Sequence, residues 1–256
     1  IDLALEERVD VVLVAGDLFD SNQQPRRSVE RAAAEFKRLA GAGVRTVVIP
    51  GTHDVYDPAS IYRVHDLAAL AGQKPDADVV VVLTPDRPDV VFPSLDLVVH
   101  GRVFATKRAP ASPLKGFSAA ADDRARWRVG LVHGSLRVPG KVDDDDVLFT
   151  EHEVAASGLD YLALGHWHSF RQGVQGDTTW AYAGAPEPVA VDQDGAGQVL
   201  LVDLSETQGR KYVSIVPREV GRTRFRKLDV DAAEVGTQPA LVERLHAMAD
   251  PDLVLD

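Results

Sequence analysis

Residues 9–15 (VDVVLVA) form a nearly unbroken run of apolar, mostly β-branched side chains that stops at Gly16-Asp17, and this run restricts the fold more than any other stretch. A strand with one wet face alternates apolar and polar residues. A run that is apolar throughout needs cover on both faces, which is the habit of strands in parallel sheets. Residues 25–40 then show helical character, with Pro25 near the first turn, an Ala-rich and charged middle and Gly41 as a stop. Residues 44–50 are a second buried strand ending at Gly51. Strand, helix and strand in that order predict parallel pairing through a right-handed crossover.

The α/β pattern continues with a helix candidate over 58–71, apolar runs over 78–83 and 95–100, strand signals over 127–132 and 161–164, and a short helix over 151–157. Residues 105–123, rich in Pro, Ala, Ser and Lys without a period, read as a long, mobile surface connection. The acidic run Asp143-Asp-Asp-Asp146 reads as a solvated loop, since four consecutive like charges repel each other and cannot all face one ion. From residue 178 short β runs follow one another (178–183, 198–204, 212–216, 223–230), which predicts antiparallel pairing. A helix candidate over 239–249, with Leu241, Leu245 and Met248 on one stripe, opens a small second domain from residue 221. The expected division is 1–220 and 221–256. Residues 1–8 read as the tail of a helix already under way and 252–256 as a strand just beginning, so a chain cut at both ends is expected.

At 256 residues and 45% apolar content there is material for one large core with a smaller appendage. No stretch approaches the roughly 20 apolar residues of a membrane span, and the first residues lack a signal pattern, so the expectation is a cytoplasmic protein with no membrane partner. The absence of cysteine removes disulfides and thiolate sites, leaving His, Asp, Glu, Asn and hydroxyl oxygen as metal donors. A formal charge of −11 argues against a surface that binds nucleic acid everywhere. Two local strips, Arg124-Ala-Arg-Trp-Arg128 and Arg222-Thr-Arg-Phe-Arg-Lys227, place alternate cations on one strand face, either to meet phosphates or simply to be solvated.

Four polar clusters each follow directly on an apolar strand: Gly16-Asp-Leu-Phe-Asp20, Gly51-Thr-His-Asp54, His133-Gly134 and Gly165-His-Trp-His168. In layered α/β folds the carboxyl ends of strands converge on a ligand crevice. Singly, each cluster has an ordinary explanation as a turn or a hydrogen-bonded strand-end histidine. His166 and His168, two apart in extended chain, point to the same side and can reach one metal centre. Together the clusters supply imidazoles and a shared carboxylate, as a pair of divalent ions requires, with Asp17 placed to bridge them. The other four histidines, His65, His100, His152 and His246, have no comparable setting.

In order and spacing, the four clusters resemble the GDxxD, GNH(D/E), H and GHxH blocks of calcineurin-like metallophosphoesterases over residues 1–200. The stretches Ala15-Gly-Asp-Leu-Phe-Asp-Ser21, Leu164-Gly-His-Trp-His168 and Tyr182-Ala-Gly-Ala-Pro-Glu187 resemble the Mre11/SbcD branch and its YhaO-like relatives more narrowly. The resemblance implies an α/β sandwich of mixed β-sheets flanked by helices, with a small capping domain. It implies two divalent ions, Mn²⁺ first among them, with Asp17 as bridging carboxylate, His133 and His166 on one ion, and His168 on the other. His53 becomes the catalytic acid, oriented or raised in pKa by Asp54, for in-line attack of activated water on phosphorus. Asp20 braces its loop. DNA as substrate, an SbcC/Rad50-like ATPase as partner and a homodimer are implied in the same way.

Two departures from the family pattern bear on activity. The Asp-x-His block that supplies further donors to the His168 ion is expected before Ile1. Thr52 stands where the family has an asparagine whose carbonyl binds an ion, and a shorter hydroxyl is a weaker donor. Three function classes remain open from sequence: a DNA nuclease, a phosphodiesterase or phosphatase of small substrates, and a non-catalytic scaffold of the same fold.

Overall fold

The computed structural model describes residues 1–74, 77–109, 111–137, 147–191, 193 and 195–255, and the acidic run at 143–146 lies outside them. The chain runs α1 (Asp2–Glu6), β1 (Val11–Ala15), α2 (Arg26–Gly41), β2 (Arg45–Ile49), α3 (Ile61–Val64), α4 (Leu67–Leu70), β3 (Val80–Val82), β4 (Asp89–Phe92) and β5 (Leu97–Arg102). It continues with β6 (Trp127–His133), the short pair β7 (Ser135–Leu136) and β8 (Leu148–Phe149), α5 (Glu151–Ala156), β9 (Tyr161–Gly165), β10 (Arg171–Gln175) and β11 (Thr178–Tyr182). Last come the hairpin β12 (Gln198–Thr207) and β13 (Arg210–Glu219), then β14 (Arg224–Arg226), α6 (Ala232–Val235), α7 (Gln238–Ala247) and β15 (Leu253–Leu255).

β1, β2 and β3 make a three-stranded parallel sheet, as the strand–helix–strand reading requires. The second sheet has six strands in the order β10-β11-β9-β6-β5-β4, parallel through its centre and antiparallel at both edges. Alternation along each strand divides the side chains between layers. Val47 and Ile49 of β2 meet Val99, Val129, Leu131, Tyr161 and Ala163 of the second sheet in an inter-sheet core, onto which the β12–β13 hairpin adds Leu200, Val202 and Ile215. Val48 turns the other way and packs under Val29, Ala33, Phe36 and Leu39 of α2. Val132, Leu162, Leu164, Trp180 and Tyr182 face outward, covered by Leu114, Ala119, Phe149 and Val154. Burial of each strand on two faces accounts for the apolar runs that open the sequence.

Three readings need correction. The helix expected over 58–71 is two single turns, because Ser60 caps the first through Tyr62 N and Asp66 caps the second through Ala69 N. A side chain that captures a backbone amide within a helical stretch starts a new helix and interrupts the old one. Residues 105–123 contain neither helix nor strand among those described, but they are no loose connection. Leu114 and Ala119 are buried in the outer core, and Ala119 N donates to Ser157 O. Asp122 joins Asp89 around the buried His100, 3.3 Å from Nε2 and 3.0 Å from Nδ1, and Arg124 spans both carboxylates. Burial lowers the His100 pKa against the pull of those carboxylates, so the neutral ring is favoured. Third, the β run over 223–230 shortens to β14, which pairs with β15 in parallel rather than antiparallel fashion.

The two sheets come into close contact at the carboxyl ends of β1 and β9. A Cβ on Gly165 would lie 1.7 Å from Ala15 O and 3.0 Å from His133 Nδ1, so glycine is required by contact distance alone. Gly165→Ala is expected to destabilise the protein by more than about 3 kcal/mol, the range of severe overpacking, measured as the shift in the urea unfolding midpoint. A shift below about 1 kcal/mol would show that the sheets do not depend on this contact.

Candidate functional site

The four polar clusters stand at the carboxyl ends of β1, β2, β6 and β9. Parallel pairing of β6 with β9 sets His133 beside Gly165, and pairing of β1 with β2 sets Ala15 beside Ile49, so the residues that follow emerge at one end of the sandwich. His133, the last residue of β6 and almost wholly buried, donates from Nδ1 to Ala15 O at 2.8 Å and thereby stitches one sheet to the other. That bond commits Nδ1, and Nε2 sits 3.3 Å from Asp17 Oδ2 and 3.3 Å from Thr52 Oγ1. In the neutral ring, Nε2 and the carboxylate both offer electron pairs across this gap, which a proton or a metal cation fills. A carbonyl holding the distal ring nitrogen is the usual support of a metal-ligating histidine.

Asp17 has φ +51° and follows Gly16 at φ +86°, so the chain leaves β1 through two left-handed residues. Its Oδ1 accepts from His53 N at 2.8 Å while Oδ2 faces His133. Burial alone would raise this carboxyl, but the hydrogen bond and charge of His133, with the amide of His53, outweigh it and hold the pKa at about 2. His166, at φ +105°, also departs from ordinary backbone, and its ring meets that of His133 edge-on at 5.2 Å. Non-glycine residues held in such conformations concentrate where a site over-determines the backbone.

Asp54 does not orient His53 as the sequence reading expected. It is fully buried and accepts from Gly51 N (2.6 Å), Asp17 N (3.2 Å), Phe19 N (3.2 Å) and Tyr62 Oη (2.5 Å), clamping the loop after β1 to the loop after β2. Burial first, then the Asp54 charge, push the Tyr62 phenol well above its ordinary range, which keeps it a donor. His53 instead bonds through Nδ1 to Asp20 O at 3.1 Å, with the Asp20 carboxylate 3.6 Å away. His168 is the outlying member: its Nδ1 accepts from the amide of Gln193, whose Oε1 is turned to Val189 N. Ligation through that nitrogen requires the Gln193 bond to open. Among the described residues, no three His, Asp or Glu side chains are already gathered into a metal cage. Asp17, His133, Thr52 and His166 are nonetheless of the right chemistry for a divalent ion, and the convergence of His133 Nε2 with Asp17 Oδ2 and Thr52 Oγ1 at 3.3 Å is the observation in their favour.

Sequence reasoning missed several supporting groups. Tyr62 lay in a presumed continuous helix, and Gln193 had no motif around it. Tyr182, within the stretch quoted above, donates to Gly134 O and accepts from Leu136 N, both at 2.8 Å, which fixes the chain immediately after His133. Glu187, from the same stretch, accepts from Arg222 N and Thr223 N and fastens the chain where it leaves the hairpin. Of the two basic strips, the first is already engaged: Arg124 pairs with Asp122 and Asp89, Arg126 with Glu206, and Arg128 bonds to Asp122 O. In the second, Arg222, Arg224 and Arg226 are all exposed, with Arg224 paired to Asp250.

Residues 1–170 match the family model described as calcineurin-like phosphoesterase. The chain belongs to the calcineurin-like phosphoesterase family. Among curated relatives of this metallophosphoesterase is the DNA double-strand break repair protein Mre11 of Aeropyrum pernix, 30% identical over 248 residues, covering 93% of this chain and 57% of that protein. The uncharacterised metallophosphoesterase YhaO of Bacillus subtilis is 29% identical over 182 residues, covering 66% of this chain and 39% of that protein. The chain thus spans about half the length of these relatives. One solved structure, 13% identical, superposes at a TM-score of 0.50 over 85% of this chain and 91% of its own, a likeness of fold alone. No helix among the described residues is long and apolar enough to cross a membrane.

Two outcomes are expected. Asp54→Ala leaves three backbone amides and a buried phenol without their acceptor and costs about 3–5 kcal/mol in urea unfolding, with His53→Ala near neutral in the same assay. Asp17, with its pKa depressed from 3.8 to about 2, contributes stability that is present above pH 3.8 and lost as pH falls through about 2. In Asp17→Asn the loss of unfolding free energy between pH 4 and 2 is therefore shallower than in the wild type.

Proposed function

We propose that this metallophosphoesterase is a Mn²⁺-dependent DNA nuclease that hydrolyses phosphodiester bonds with two metal ions, in partnership with an SbcC/Rad50-like ATPase. One observation carries the reading: His133, its Nδ1 tied to Ala15 O, presents Nε2 to Asp17 and Thr52 across gaps of 3.3 Å at the meeting point of four strand ends. The relatives named Mre11 supply the choice of DNA. In this reading Asp17 would serve both ions, His133 and His166 would hold one with Thr52 beside them, and His168 would belong to the other. Two divalent ions held there would supply a lowered pKa for the attacking water and neutralisation of charge developing on phosphorus.

This chain's own residues do the rest. His53, with its amide bonded to Asp17 Oδ1 and Nδ1 bonded to Asp20 O, keeps Nε2 for the substrate, where a proton is passed to the departing oxygen. Asp54 acts at one remove, as a positioning residue that holds Gly51, Asp17 and Phe19 in register. Residues from 221 onward begin the capping unit, which Glu187 fastens to the core. Homodimerisation and a cytoplasmic location complete the proposal by family analogy. Thr52 and the engaged Nδ1 of His168 favour a second reading, a scaffold of the same fold that need not bind two ions tightly.

The test is Mn²⁺-dependent hydrolysis by the full-length protein of double-stranded DNA, single-stranded DNA and bis-p-nitrophenyl phosphate. DNA cleavage that falls at least about 100-fold in His53→Ala is the expected result, within the range of a lost general acid. Turnover of the small ester alone would replace the nuclease by a small-substrate phosphodiesterase. No turnover together with no Mn²⁺ binding would leave the scaffold.

A further inference from the structure

Beside the strand-end site lies a three-layer stack that the hydrolytic chemistry does not use. Trp167, between His166 and His168, lies flat on the Tyr182 ring, with centroids 4.9 Å apart and planes 14° from parallel. Arg171 completes the stack, its guanidinium carbon 4.6 Å from the Trp167 ring centre. Cross-strand register explains the grouping, since Arg171 pairs with Tyr182 and Tyr182 with Leu164, so the arginine starts its strand at the end of the sheet where β9 leads into the histidines.

The stack is anchored on the other side as well. Trp167 Nε1 donates to the buried Ser135 Oγ at 2.9 Å, and Tyr182 Oη is bonded to Gly134 O and Leu136 N. The indole and phenol are therefore held by the segment that follows His133, and the guanidinium rests on a platform of fixed orientation. Arg171 itself is exposed and has no carboxylate within ion-pair distance among the described residues. In a chain with a formal charge of −11, Arg124 and Arg126 of the first basic strip are paired with Asp and Glu, whereas Arg171, next to the site, has no carboxylate partner among the described residues. Stacking holds a guanidinium by its face and leaves its N–H edge available, and that edge matches two oxygens of a phosphate.

We infer that Arg171, oriented by Trp167 and Tyr182, binds a backbone phosphate that flanks the scissile bond of a polymeric phosphodiester. This inference rests on the nuclease reading and deepens it: the stack is a positioning site for a strand, outside the metal centre and irrelevant to a substrate with a single phosphate.

Arg171→Ala and Arg171→Lys are compared with wild type in three measurements on the full-length protein. These are anisotropy of a labelled DNA oligonucleotide in metal-free buffer over a salt series, Mn²⁺-dependent cleavage of the same oligonucleotide, and hydrolysis of bis-p-nitrophenyl phosphate. For Arg171→Ala the expected result is binding weaker by about tenfold, the scale of one charged hydrogen-bonded contact, and a salt slope reduced by about one. KM for the oligonucleotide rises in parallel, while kcat and KM for the small ester and the thermal midpoint stay at wild-type values. Arg171→Lys restores the salt slope and only part of the affinity, because the planar fork is lost. Equal DNA binding by wild type and Arg171→Ala overturns the inference, as does an equal loss on the small ester, which marks a structural role. If wild type hydrolyses the small ester but neither binds nor cleaves DNA, the nuclease reading fails and this site falls with it. That failure shows in the wild type alone, whereas failure of the inference shows only in the comparison of variants.

Discussion

The hydrogen bond from His133 Nδ1 to Ala15 O is the contact on which the rest of the arrangement depends. It ties the last residue of a strand in one sheet to the last residue of a strand in the other, in the narrow place where Gly165 leaves no room for a Cβ against the same carbonyl. The bond does two things at once. It closes the sandwich at its functional end, and by occupying Nδ1 it decides which imidazole nitrogen faces Asp17. Structure and chemistry here are one constraint, so substitutions that open the sheet contact also disorder the donor set.

Around that contact, buried polar groups hold the loops in place. Asp54 gathers three amides and a phenol into one carboxylate, an arrangement in which each donor would be costly to leave unpaired. Tyr182 does the same on a smaller scale for residues 134 and 136. The left-handed backbone at Asp17 is sustained by the bond from its own amide to Asp54. Conformations disfavoured by themselves thus persist where the donors are needed.

Much of this was legible in the sequence, for physical reasons that can be named. The run at 9–15 and the paired run at 44–50 announced doubly covered parallel strands, because burial on two faces removes the polar half of a strand's alternation. The polar clusters stood out because each broke such a run at its carboxyl end. Less legible were features that depend on tertiary pairing. β10, an exposed edge strand, has no apolar period to betray it, and β14 chose a parallel partner some 30 residues downstream. The partner of Asp54 could not be read either, since His53-Asp54 are neighbours in sequence while the carboxylate turns inward and the imidazole is held by Asp20. Composition misled at 105–123, where small and charged residues suggested a free loop but Leu114, Ala119 and Asp122 fasten it to the sheet.

The central claim is that the strand-end constellation around Asp17 and His133 is a metal centre. Anomalous diffraction from crystals of the full-length protein grown with Mn²⁺ tests it most directly. The account predicts a manganese peak within coordination distance of Asp17 and of His133 Nε2. Ordered Asp17 and His133 at the present spacing with no metal between them, at saturating Mn²⁺, would contradict it.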